Sequence, residues 1–186
     1  MSIHTNNAMD VLQTHRDLVE RCREGHRDAQ FELYRLYSKA MYNTALRMVQ
    51  HPHDAEDLLQ SIFVEVFTKL DSFRYESTIG AWIKRITINK CINFLKSKRL
   101  PLSELNAVND RAEEKEPESE PRYSVEKINQ AIQRLPDGYR VVFNLYAVEG
   151  YDHEEIAQIL GVTEATSKSQ YSRAKAKLRE ALTSTD

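Results

Sequence analysis

Between Ala165 and Arg179 the chain carries five basic residues, Lys168, Arg173, Lys175, Lys177 and Arg179, and no acid. A helix so charged suits the side of a polyanion. Among them stand Thr166, Ser169 and Gln170, whose hydroxyl and amide groups can hydrogen-bond to base edges and phosphates. At 3.6 residues per turn Thr166, Ser169, Gln170, Arg173 and Lys177 fall on one side of a helix, and Ser167, Tyr171, Ala174, Leu178 and Leu182 form a packing stripe on the other. The plain alternative is a solvated helix in an ordinary bundle.

A second stretch has the same chemistry. From Arg74 to Arg99 there are seven basic residues (Arg74, Lys84, Arg85, Lys90, Lys96, Lys98, Arg99) against one acid, Glu76. Helical spacing puts Arg85, Asn89, Asn93 and Lys96 on one flank, behind a polar loop with the aromatics Phe73 and Tyr75. Rings can stack on bases while amides read their edges, so this stretch too is expected to meet nucleic acid. A third cluster, His51, His53, Asp54, Glu56 and Asp57, offers the donors of a metal-dependent hydrolase. Histidines two apart before a helix match no established ligand spacing, and acids in a first helical turn are favoured by the helix dipole.

These residues need helices to position them. Ile156, Ile159 and Leu160 line a short helix that Gly161 stops, and Thr163 suits the N-cap of the next, which makes a helix-turn-helix. Asp152 and Glu155 have capping-box spacing ahead of it. Upstream, Val125 to Leu135 and Val141 to Tyr146 read as two more helices, separated by Leu135-Pro136-Asp137-Gly138. In the first half, Leu18, Val19 and Cys22 mark a helix that ends near Gly25. A longer one from about Asp28 has apolar residues too widely spread for one stripe and is expected at the centre of a bundle. Leu58, Leu59, Ile62, Phe63, Val66 and Phe67 repeat regularly after Pro52. Thr78 to Lys98 forms a helix with apolar sides that change along its length.

The 186 residues are 41% hydrophobic, with five glycines, five prolines and no sustained strand-like alternation, which predicts an all-α protein. With a net charge of −2, no global field draws the chain to nucleic acid, so its basic residues must act locally. Residues 1–9 are polar and expected to be disordered, and 101–123 read as a flexible acidic linker. Two helical domains, 10–100 and 124–186, follow. Cys22 and Cys91 lack C-x-x-C spacing and suit a reducing compartment. No apolar signal core or membrane span is evident, so a cytosolic protein is expected.

Three segments resemble a known family. D-A-E-D-L-L-Q-S-I-F (Asp54 to Phe63) and F-R-Y-E-S-T-I-G-A-W-I-K-R-I-T-I-N-K-C-I-N-F-L-K (Phe73 to Lys96) are similar to region 2 of sigma-70 factors of the extracytoplasmic-function (ECF) group. Leu135 to Gln170 is similar to region 4. The resemblance implies a dissociable subunit of bacterial RNA polymerase, with no catalytic residue, cofactor or metal of its own. Asp54, Asp57, Gln60 and Phe63 would contact the clamp of the largest core subunit. Phe73, Arg74 and Tyr75 belong to the loop, ending at Ile79, that would hold a flipped base, and Arg85, Asn89, Asn93 and Lys96 to the face that would contact the −10 element. Thr166, Lys168, Ser169, Gln170 and Arg173 would serve the −35 element. The linker would enter the RNA channel, region 4 would dock on the flap of the second-largest subunit, and an anti-sigma factor is an expected partner. The family usually has Asp at Asn93, Val at Ser167 and Arg at Gln170, differences that bear on which promoter is read. A stand-alone operator-binding regulator is the alternative, and the region-2 resemblance argues against it.

Overall fold

The computed structural model describes residues 15–98 and 123–183. These are helical, with no strand among the described residues, and they form two compact units that divide between Cys91 and Ile92. The expected boundary at residue 100, the disordered start at 1–9 and the linker 101–123, apart from Tyr123, lie outside the described residues.

In the first half α1, described over 15–23, is followed by α2 (Arg27–Val49), α3 (Pro52–Lys69), a short 3-10 turn (Leu70–Ser72) and α4 (Ile79–Ser97). Val19, Leu33, Ala45, Ile62, Val66 and Ile83 have no exposed surface and Leu70 almost none. Proline at the first position of α3 costs no hydrogen bond, because the N–H it lacks would have had no intrahelical acceptor. Thr78 caps α4: its Oγ1 accepts from the Ala81 N–H at 3.2 Å. Gly80 lets the first turn of α4 pass the Tyr37 ring of α2, where a Cβ would lie 2.9 Å from Cε1. As expected of a central helix, α2 meets α1, α3 and α4, through Gln30 on the Cys22 carbonyl, Tyr34 on Phe63 and Met41 on Thr87. Phe31, Tyr34 and Leu36 are exposed, so its broad apolar surface is only partly covered by neighbours.

The second half holds α5 (Val125–Gln133), α6 (Asp137–Phe143), which runs on as a wider π turn (Asn144–Val148), α7 (His153–Leu160) and α8 (Glu164–Thr183). Ala131 and Leu135 pack with Ala174 and Leu178, flanked by Ile132, Tyr139, Phe143, Ala181 and Leu182. Arg140 is buried and ion-paired to Asp137 while donating to the Leu135 carbonyl at 2.9 Å. It ties the α5–α6 turn together, so its burial is compensated.

Candidate nucleic-acid interface

The helix-turn-helix is built from local rules. Asp152 Oδ1 accepts from the Glu155 N–H at 2.8 Å, and Glu155 Oε2 from the Asp152 N–H at 2.9 Å, which closes a capping box at the start of α7. Gly161 ends α7 at φ 73°, a conformation that costs glycine little. Thr163 Oγ1 then accepts from the Thr166 N–H at 3.1 Å and fixes the first turn of α8. Ser167 is fully buried and meets His153 Nδ1 at 2.9 Å, while the His153 ring stacks on Tyr146 at 4.4 Å. Burial, and then the nearby Lys168, lower the His153 pKa and so favour the neutral ring.

The α8 residues expected to reach a base or phosphate divide. Lys168 and Ser169 are exposed, and Thr166 and Arg173 half-buried. Lys168 pairs with Glu164 at 2.6 Å, and this bond raises its pKa; Thr166 shares a hydroxyl contact with Thr163 at 2.8 Å. Gln170 has to be corrected, because only 1% of its surface is exposed. The buried stripe of α8 is Ser167, Gln170, Ala174 and Leu178. The small side chains at 167 and 174 leave room for the amide between them.

On α4 the flank is arranged as its spacing predicts. Arg85, Asn89, Asn93 and Lys96 are all exposed, whereas Ile83, Ile88, Cys91, Ile92 and Leu95 are buried. Glu65 of α3 binds Lys69 at 2.6 Å and Lys90 at 2.9 Å, and these bonds hold its carboxyl below the usual range. One of the stretch's seven basic charges is thereby neutralised, leaving Arg85 and Lys96 beside the two amides.

The loop before α4 differs from expectation. Phe73 is 4% exposed, with its ring 5.4 Å from Trp82 and 4.8 Å from Tyr75: it fills the space beneath the loop and does not project from it. Tyr75 is half-buried at φ 60°, an uncommon conformation for a bulky residue. Its hydroxyl donates to Glu20 Oε1 at 2.5 Å, and the guanidinium carbons of Arg16 and Arg23 lie 5.0 and 5.2 Å from its ring centroid. Burial first, and the Glu20 bond second, push the Tyr75 phenol up to about 12; the same bond leads the causes that lower Glu20. A raised tyrosine stabilises the fold below its unfolded value of about 10, and this is lost as pH rises through about 12. A lowered carboxyl contributes above about 4.3, and that is lost as pH falls through its folded value. The melting-temperature advantage of the wild type over Tyr75→Phe is therefore expected to be flat from about pH 5 to 9 and to shrink outside that window. A pH series of thermal melts checks it.

Residues 33–100 match the family description Sigma-70 region 2, and residues 126–178 match Sigma-70, region 4. RNA polymerase sigma factor SigZ of Bacillus subtilis is 33% identical over 129 residues, covering 68% of this chain and 72% of that protein. The chain belongs to the sigma-70 family. Within that family it is similar to ECF RNA polymerase sigma factor SigM of Mycobacterium tuberculosis, 29% identical over 162 residues that cover 85% of this chain and 79% of that one. It is an ECF-type sigma factor, which directs RNA polymerase to promoters. The solved structure of sigma factor RpoE with the anti-sigma factor NepR from Bartonella quintana shares its fold, with a TM-score of 0.56 at 24% identity over 83% of this chain and 97% of that one.

In this sigma factor the histidines and acids at the start of α3 stand as two separate pairs. His51 approaches Asp54, and His53 approaches Glu56, each at 3.8 Å, as separate pairs. Among the described residues no three His, Cys, Asp or Glu side chains converge to hold a metal ion. Asp57 and Gln60 are exposed and Asp54 half-buried, but Phe63 needs correction: it is 3% exposed, with the Tyr34 ring 4.8 Å away across its edge. The apolar residue that α3 does present is Val64, 67% exposed and one turn beyond Gln60. Sequence reading also missed Arg16, Glu20 and Arg23 around Tyr75. No local signal could reveal them, since Glu20 and Tyr75 are 55 positions apart.

Proposed function

We propose that the sigma factor divides promoter recognition between two helix faces, with α8 on the −35 element and the loop–α4 unit on the −10 element. The observation that carries this reading is the exposed row Arg85, Asn89, Asn93 and Lys96, which joins two amides able to read base edges to two cations able to hold phosphates. It begins about two turns after the capped loop, whose outward residues are Arg74, Glu76, Ser77 and Thr78. A base taken out of the stack costs a few kcal/mol, which polar partners in such a loop can offset. On α8, Lys168, Ser169 and Arg173 are the residues for backbone and base contacts, with Thr166 at the helix start.

Core polymerase would be engaged through Asp54, Asp57 and Gln60, with Val64 in the apolar role that burial denies to Phe63. Asp54→Ala with Asp57→Ala should weaken capture of core enzyme at least tenfold and leave folding nearly unchanged, since acids in a first helical turn contribute only about 0.3–1 kcal/mol each. Pull-down with core enzyme beside thermal melting decides it; full capture by the folded double variant would remove the acids from the interface.

The protein acts by binding, without catalysis, and works in the cytosol; no helix of the described residues is long and apolar enough to cross a membrane. The Bartonella quintana complex supports an anti-sigma factor as a partner. Run-off transcription with core polymerase on a promoter library tests the whole reading. Failure to direct transcription from any promoter, with the protein folded, would overturn the assignment of promoter elements to α4 and α8.

A further inference from the structure

Five interactions converge on the loop at the start of α4, and all but one come from α1. Glu20 Oε1 accepts from the Tyr75 hydroxyl at 2.5 Å and from Arg23 Nη1 at 2.8 Å. Arg23 also donates to the Leu70 carbonyl, at 3.3 Å from Nε and 3.2 Å from Nη2, and to the Phe73 carbonyl. Arg16 and Arg23 lie over the Tyr75 ring, and Phe73 packs against its other surroundings at 4.8 Å. One carboxylate oxygen thus links a side chain of the loop to a guanidinium that holds the Phe73 carbonyl at the start of the loop and the Leu70 carbonyl of the 3-10 turn before it. The Tyr75 backbone sits at φ 60°, where an L residue is held only if its surroundings over-determine it. A base stacking on the ring would have to compete with two guanidinium groups that lie about 5 Å from its centre.

We propose that Arg16, Glu20 and Arg23 of α1 form a latch on Tyr75 that sets the conformation in which the loop receives DNA, making Tyr75 a positioning residue and not a stacking platform. This rests on the reading of the loop as the site that holds an unpaired base. The groups left to touch DNA are Arg74, Glu76, Ser77 and Thr78, all exposed, and α1 determines where they stand. An N-terminal helix without a DNA contact of its own would then control strand opening.

The test uses full-length protein with core polymerase, and variants that separate the two roles of the ring. Hydrogen exchange of amides 74–78 in the free protein reports the latch, and permanganate reactivity against closed-complex binding reports opening. Glu20→Ala should speed exchange of these amides about tenfold while the interiors of α3 and α4 stay protected. It should reduce opening about tenfold at unchanged closed-complex binding. Glu20→Gln, which keeps an acceptor for the phenol, should recover most of both. Tyr75→Phe keeps a stacking ring but loses the Glu20 bond, so a latch predicts a defect like that of Glu20→Ala. Tyr75→Gly, at ease at φ 60° but ringless, should open DNA poorly despite the relieved strain. Full opening by Tyr75→Phe, or unchanged loop exchange in Glu20→Ala, would overturn the latch. If Glu20→Ala loosens the loop but opens DNA like the wild type, the base-holding reading of the loop falls instead, and with it the latch's role in opening.

Discussion

Gln170→Arg is expected to cost the helix-turn-helix about 3 kcal/mol or more, because a buried guanidinium must lose its hydration without a prepared partner. The position belongs to the buried stripe of Ser167, Gln170, Ala174 and Leu178, so a longer, charged group there must either be desolvated or displace its neighbours. In a domain of this size the loss corresponds to a fall in melting temperature of about 10 °C or more. Gln170→Met, close in volume and free of charge, should melt nearer the wild type. Urea unfolding of both variants, followed by selection of preferred −35 sequences, is the measurement. A Gln170→Arg protein that folded normally and moved preference at one base pair toward G·C would mean that the amide turns outward on DNA, where Arg favours guanine and Gln adenine.

The other large effect belongs to α4. Asn89→Ala with Asn93→Ala should reduce promoter opening about a hundredfold, since each well-made amide contact with a base is worth roughly 1–3 kcal/mol. Both residues are exposed, so stability should change by no more than about 0.5 kcal/mol. Closed-complex binding, which depends on α8 and on phosphate contacts, should hold within about twofold. Permanganate footprints would show the unpaired thymines disappear while gel shifts persist. Asn93→Asp should open DNA yet alter the preferred base, because a carboxylate only accepts where an amide also donates. Normal footprints from the double alanine variant would leave Arg85 and Lys96 as a solvated basic face.

What could be read from the sequence was what depends on near neighbours. The capping box at Asp152 and Glu155, the stop at Gly161 and the cap at Thr163 are contacts over a few residues, and each forms as its residue types demand. The exposed row on α4 follows from periodicity, because the helix is long and its buried residues are strongly apolar. The errors at Phe63, Phe73 and Gln170 share a cause. Each lies at the edge of an apolar stripe, where a distant element decides whether the side chain is covered: Tyr34 crosses Phe63, and Trp82 and Tyr75 enclose Phe73. Gln170 adds a bias of type, since its polarity suggested an outward role although its helical angle adjoins Ala174.

The continuity of α4 sets a length as well as a face. From Arg85 to Lys96 the helix rises about 16 Å, close to five base steps at about 3.4 Å each. Arg85, Asn89, Asn93 and Lys96 are therefore graduations on a ruler, the backbone of one continuous helix that starts at the Thr78 cap. A ruler fixes intervals but not what is marked at them. Substitution at 89 or 93 can change which bases are preferred, whereas the distance between the bases read is set by the helix backbone and stays constant under any such change.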